Sequence, residues 1–101
     1  MVEKKYAIVW TKRSQLQLRQ IFDHISKESY QNALKVLEDI VFAVNKSIYN
    51  PEFYNPDKYK LNNDGTYRAF EEHHYRIAYR YSKNIIRILR IRHAAMEPKD
   101  Y

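Results

Sequence analysis

Arginines take alternate positions through the C-terminal third of this 101-residue chain. Tyr75 to Tyr81 and Ile85 to His93 read as strands, because aromatic and β-branched residues dominate both. Successive side chains of a strand point to opposite faces. Arg76, Ala78 and Arg80 therefore oppose Tyr75, Ile77, Tyr79 and Tyr81. In the last strand Leu89, Ile91 and His93 are expected on one face, and Ile86, Ile88, Arg90 and Arg92 on the other. If helices cover the apolar side, Arg76, Arg80, Arg90 and Arg92 gather on the uncovered side, with Arg68 joining from the strand before. Guanidinium groups so placed repel one another, and a ligand rich in phosphate or carboxylate would relieve the repulsion. The plainer alternative is a solvated face on which they pair with Glu71, Glu72, Glu97 or Asp100.

Other chemistry is scarce. His73-His74 falls in an expected turn, where the two rings project to different sides and make a poor metal site. His24 has no second ligand four residues on. His93, ending the last strand, is the one histidine placed to act as a general base near neutral pH, although packing is the commoner fate of such a residue. The absence of cysteine excludes disulfides and thiolate chemistry. No metal-ligand spacing, phosphate loop or nucleophile elbow occurs, so neither metal nor cofactor is expected.

The elements that must position these residues follow from pattern. Tyr6 to Trp10 reads as a strand, and Thr11 or Ser14 caps a helix whose Leu18, Ile21, Phe22 and Ile25 share one face. After a polar turn at Ser26 to Ser29, a second helix carries the stripe Ala33, Leu34, Leu37, Ile40, Val41, Val44 and Ile48, ended by Asn50-Pro51. Residues 50 to 65 are irregular. Three strands follow, Tyr67 to Glu72, Tyr75 to Tyr81 and Ile85 to His93, too close together to pair other than antiparallel. The fold class expected is α+β: an N-terminal strand and a helical hairpin packed on a C-terminal antiparallel sheet, with residues 1 to 101 forming one domain.

A formal charge of +6 and a pI near 9.5 favour polyanionic partners, either nucleic acid or an acidic protein. Of the ten tyrosines, all but Tyr6 and Tyr30 follow residue 48, interleaved with Arg and Lys as in surfaces that stack bases and grip phosphates. Strand filling is the more ordinary role for any one of them. The apolar run near the N-terminus is too short for a signal peptide or a membrane span, and with no cysteine a cytoplasmic location is expected.

Tyr75-Arg76-Ile77-Ala78-Tyr79, the strand Ile85 to Arg92, His93 and the following Glu97-Pro98 resemble the C-terminal signature of RelE/ParE-superfamily toxins. Val9-Trp10-Thr11 opening into a helical hairpin extends the resemblance over nearly the whole chain. It implies the toxin of a type II toxin–antitoxin system of the plasmid-stabilisation type, a growth inhibitor neutralised by a cognate acidic antitoxin. ParE-like members poison DNA gyrase; RelE-like members cut mRNA on the ribosome without a metal. The second reading would assign catalysis to Arg76, Arg68, His93 and the last residue, Tyr101. Ala94-Ala95-Met96 stands where a further cation is frequent in such enzymes, and the long second helix matches the ParE-like side. The expectation is accordingly a ParE-like gyrase inhibitor. A RelE-like endoribonuclease and a non-toxic nucleic-acid-binding module are the alternatives.

Overall fold

The computed structural model describes residues 4–96 and 99–101. β1 (Ala7–Trp10) runs into α1 (Lys12–Ser26), and a short turn leads to α2 (Tyr30–Asn45). β2 (Tyr67–Glu72), β3 (Tyr75–Ser82) and β4 (Ile85–His93) follow the long loop. The sheet order is β1-β4-β3-β2, with β1 parallel to β4 and the other pairs antiparallel. The α+β class expected from sequence is the one observed. The parallel partnership that carries the first strand to the last was not foreseen.

Local chemistry sets the boundaries. Thr11, not Ser14, caps α1: its Oγ1 accepts from the Ser14 N–H at 3.2 Å and donates to the Ile88 carbonyl at 2.7 Å. One hydroxyl thus starts the helix and ties it to β4. Ser29 caps α2 in the same way, accepting from the Asn32 N–H at 3.1 Å. α2 ends at Asn45, before the Asn50-Pro51 stop expected from sequence. The buried Ser47 hydroxyl donates to the Val44 carbonyl, and the Ile48 carbonyl accepts from the Tyr6 N–H at 2.7 Å. Those bonds turn the chain away while keeping its carbonyls satisfied. The hairpin turns His73-His74 and Lys83-Asn84 all have positive φ, between 48° and 68°, the backbone shape that suits strand twist.

The core lies between the helices and one face of the sheet. Val36, Ile40, Ala43 and Val44 of α2 meet Phe70, Ile77, Tyr79, Ile86, Ile88 and Ile91, with Leu18, Ile21 and Ile25 of α1 packed at its edge. The Tyr79 hydroxyl is buried and donates to the Pro51 carbonyl at 2.6 Å, which anchors the start of the long loop. Of the stripe expected on α2, Leu34, Leu37 and Val41 turn instead towards an outer groove, and Val36 and Ala43 take inner positions.

A bulge corrects the strand alternation. Ala78 pairs with Arg90 but Tyr79 with Ile88, so Leu89 is the extra residue. Ile86 and Ile88 therefore share the helix side with Ile91, not the side of Arg90 and Arg92 as strict alternation implied. Ile88 has no exposed surface. Ile88→Ala should cost about 2–5 kcal/mol of stability, read as a lowered urea midpoint at unchanged slope.

Candidate functional site

The sheet face away from the helices carries Arg76, Arg80, Arg87, Arg90 and Arg92. The register sets like charges opposite one another, Arg76 against Arg92 and Arg80 against Arg87, an arrangement that is destabilising unless anions or rings intervene. Arg87 was not foreseen there; the bulge at Leu89 brings it over.

Arg68 is not on this face. It pairs with Tyr79 across β2 and β3, so its side chain leaves on the helix side. Its Nε donates to the Gly65 carbonyl at 2.8 Å and its Nη1 to the Tyr54 carbonyl at 3.1 Å, and Nη2 lies 3.9 Å from Glu52. Arg68 braces the long loop, while Tyr67 and Glu71 occupy the arginine side of β2.

The repulsion on that face is relieved from within the chain. Asp57, in the loop, is 2% exposed. Its Oδ1 accepts from Arg76 Nη2 at 2.8 Å and from the Tyr59 N–H at 3.1 Å, and its Oδ2 accepts from the Tyr101 hydroxyl at 2.8 Å. Burial pushes the Asp57 carboxyl up. The bonds from Arg76, Tyr101 and the Tyr59 N–H outweigh burial and hold it below the usual carboxylate range. The Tyr101 phenol is driven well above its ordinary range, first by burial and then by its bond to the Asp57 anion.

The tail is fastened along its backbone as well. The Tyr101 N–H donates to the Tyr59 carbonyl at 3.0 Å, and the Tyr101 main-chain oxygen accepts from the Leu61 N–H at 2.6 Å. Rings cover three of the five arginines: Arg90 lies 4.1 Å from the Tyr101 ring centre, Arg76 4.8 Å from that of Tyr59 and Arg80 5.0 Å from that of Tyr67. The late tyrosines thus do stack on cations, but on those of their own chain.

His93 ends β4 exposed, with its ring edge-to-face on Tyr75 and its Nδ1 accepting from the Ala95 N–H at 3.0 Å. With Tyr59, Arg76, Arg90 and Arg92 it lines a cavity of about 70 Å³. Arg76 and His93 thereby line one cavity, Tyr101 meets Arg76 through Asp57, and Arg68 is apart. Sites for small ligands usually run to roughly 300 Å³ or more, so this cavity does not admit a nucleotide as it stands. Arg76 and Tyr101 are both committed to Asp57. Of the acids considered from sequence, Glu97 lies outside the described residues, and the partner found for Arg76 comes from the loop. Asp57 had no periodic pattern to mark it; the Pro56-Asp57 step in a tyrosine-rich loop was the only trace. His73 binds Asp39 at 2.6 Å and lies 4.0 Å from Glu72, while Lys35 holds the other Asp39 oxygen at 3.1 Å. This network joins α2 to the β2–β3 turn.

Because Asp57 is so deeply placed, Arg76→Ala should not leave the fold intact. An unpaired buried carboxylate is expected to cost about 3–5 kcal/mol, measurable by urea denaturation. The depressed Asp57 pKa gives stability that is present above the ordinary carboxyl value of about 4 and lost as pH falls through the lower folded value. Melting temperature followed from pH 7 to pH 2 should therefore drop less steeply below pH 4 in Asp57→Asn than in the unsubstituted protein, from a lower starting value.

The same architecture occurs in solved toxin structures. A chain of the chromosomal ParDE toxin–antitoxin system from P. aeruginosa superposes with a TM-score of 0.69 at 22% identity, covering 89% of this chain and 97% of that one. A chain of the RelBE2 toxin–antitoxin complex from Mycobacterium tuberculosis superposes with a TM-score of 0.59 at 20% identity, covering 88% and 98%. No curated protein sequence is matched. Residues 8–98 match the family model described as the ParE toxin of the type II toxin–antitoxin system parDE. That match spans both helices and all of the sheet but Ala7, and on it the chain belongs to the ParE toxin family of type II toxin–antitoxin systems.

Proposed function

We propose that this toxin works by binding its target rather than by cleaving RNA, with DNA gyrase as that target and a cognate antitoxin as its neutraliser. The observation that carries this reading is the buried Asp57, which occupies both Arg76 and Tyr101. A metal-free ribonuclease needs a cation turned to the scissile phosphate and groups that shuttle protons near neutral pH. Here Arg76, the cation that the resemblance would turn to the phosphate, already neutralises a carboxylate, and the Tyr101 phenol is held protonated far above neutrality. Membership of the ParE family supports gyrase over the ribosome as the target.

The antitoxin has a suitable seat on the other side of the molecule. Trp10, Leu18, Phe22, Leu34, Leu37 and Val41 line an open apolar groove of about 430 Å³ along the helical hairpin. An exposed apolar groove of this kind fits the apolar side of an amphipathic segment. An acidic segment would also be drawn by the net positive charge. No helix among the described residues is long and apolar enough to cross a membrane. The cytoplasm, where gyrase acts, is the location this reading requires.

Induction of the toxin alone should arrest growth of a bacterial host, and co-expression of the neighbouring antitoxin should restore it. Val41→Glu, at an exposed groove position, should leave arrest intact but make rescue fail. One induced culture assayed for both lesions separates the mechanisms. Gyrase-dependent DNA breaks with intact mRNA are expected. Cut mRNA with undamaged DNA would establish the ribonuclease reading instead, and uninhibited growth with neither lesion would leave a non-toxic binding module.

A further inference from the structure

We infer that the cleft between α1 and the C-terminal half of β4 is a phosphate site, taking a phosphate-ester ligand such as a nucleotide or a nucleic-acid segment. The cleft follows from the topology. β1 ends at Trp10, paired with Ile88, so β4 beyond that residue has no strand on this edge. Side chains of α1 serve that edge instead: Gln17 Oε1 accepts from the Ile91 N–H at 2.7 Å. With its oxygen engaged, the Gln17 amide has its NH₂ group left to offer a ligand.

The open cleft has a volume of about 610 Å³, within the usual range for a small-molecule site. Arg13 and His24 from α1, Arg90, Arg92 and His93 from β4, and Lys99 from the tail line it. No carboxylate lines it among the described residues. The Arg90 guanidinium feels the crowding: burial lowers its pKa, and the charges of Arg92 and Arg13 lower it further, against opposing effects from Tyr101 and Asp57. Its position is nonetheless fixed by the Tyr101 ring and by a bond from Nη2 to the Lys99 carbonyl at 3.1 Å. Guanidinium forks held rigidly in this way match the oxygens of a phosphate. The edge-to-face pair Tyr75 and His93, 5.2 Å between ring centres, borders the same space and offers ring surface for a base. A carboxylate peptide would use the cations but not the rings.

The inference stands apart from the choice of gyrase as target. Its test is binding of a short labelled single-stranded oligonucleotide to the purified full chain, followed by fluorescence anisotropy. A nucleoside triphosphate and a polyglutamate peptide serve as competitors. Arg13 is exposed, so Arg13→Ala should leave the melting temperature unchanged while weakening binding about tenfold or more. It should also reduce the slope of log affinity against log salt by about 1. Arg92→Ala should weaken binding likewise. Lys46→Ala, which removes an exposed charge at the far end of α2, should change affinity by less than about twofold. Displacement by the triphosphate assigns the site to free nucleotides, and resistance to it assigns the site to a nucleic-acid backbone; both uphold a phosphate site. Equal effects of Arg13→Ala and Lys46→Ala would overturn it. Displacement by polyglutamate as effective as by triphosphate would do so too, as would the absence of binding.

Discussion

Asp57 keeps its charge where almost no water reaches it, and much of the molecule is arranged to make that tolerable. A carboxylate moved out of water is costly unless its oxygens are fully bonded and a cation lies beside it. Arg76 reaches it from the sheet, Tyr101 from the tail and the Tyr59 N–H from its own loop. These three come from separate parts of the sequence, so satisfying one carboxylate fixes loop, sheet and tail against each other. The loop from 50 to 65, with no helix or strand of its own, gains a defined path by this means. Arg68 and Tyr79 hold both of its ends by donating to the Gly65, Tyr54 and Pro51 carbonyls.

The helical hairpin and the sheet divide the surface by chemistry. One side of α2 enters the core through Val36, Ile40, Ala43 and Val44, while Leu34, Leu37 and Val41 face an apolar groove outside it. The opposite side of the sheet is basic, with Asp57 paired to Arg76, and the cleft between α1 and β4 is lined by Arg13, Arg90, Arg92 and Lys99. Attraction for apolar and for anionic partners is thus set on separate regions of one small chain, and two partners of different kinds need not compete for the same atoms.

The elements were legible because each carries a repeating local signal: helical spacing in α1 and α2, alternation in β3, and turn residues between the strands. Most of the resemblance to the toxin superfamily lies in Tyr75 to His93. Two departures have definite causes. The bulge at Leu89 adds one residue to β4, which strict alternation cannot register, so Ile86 and Ile88 were assigned to the wrong side and Arg87 was overlooked. Arg68 was placed by its nearness in sequence to the other arginines, but facing depends on pairing, and its partner is Tyr79. Asp57 was invisible for a different reason. An ion pair between a loop and a strand nineteen residues apart leaves no periodic mark. Arg13 and His24 in the α1–β4 cleft were hidden likewise, since they meet β4 only through the parallel pairing of β1.

That pairing also has a bearing on when the protein becomes itself. β1 takes its place beside residues 85 to 88, so the first strand has no partner until most of the chain has been made. During synthesis the hairpin emerges with both its apolar sides uncovered, the inner one awaiting the sheet and the outer one awaiting nothing within the chain. Distant contacts of this sort form slowly compared with helices, because a long loop must close before any gain is realised. The groove lined by Trp10, Phe22 and Leu37 is built largely from the two helices, and so belongs to the part of the molecule that can form early. A partner that recognises the hairpin can therefore meet the chain before its sheet is closed, at a stage when the arginine face has not yet been assembled.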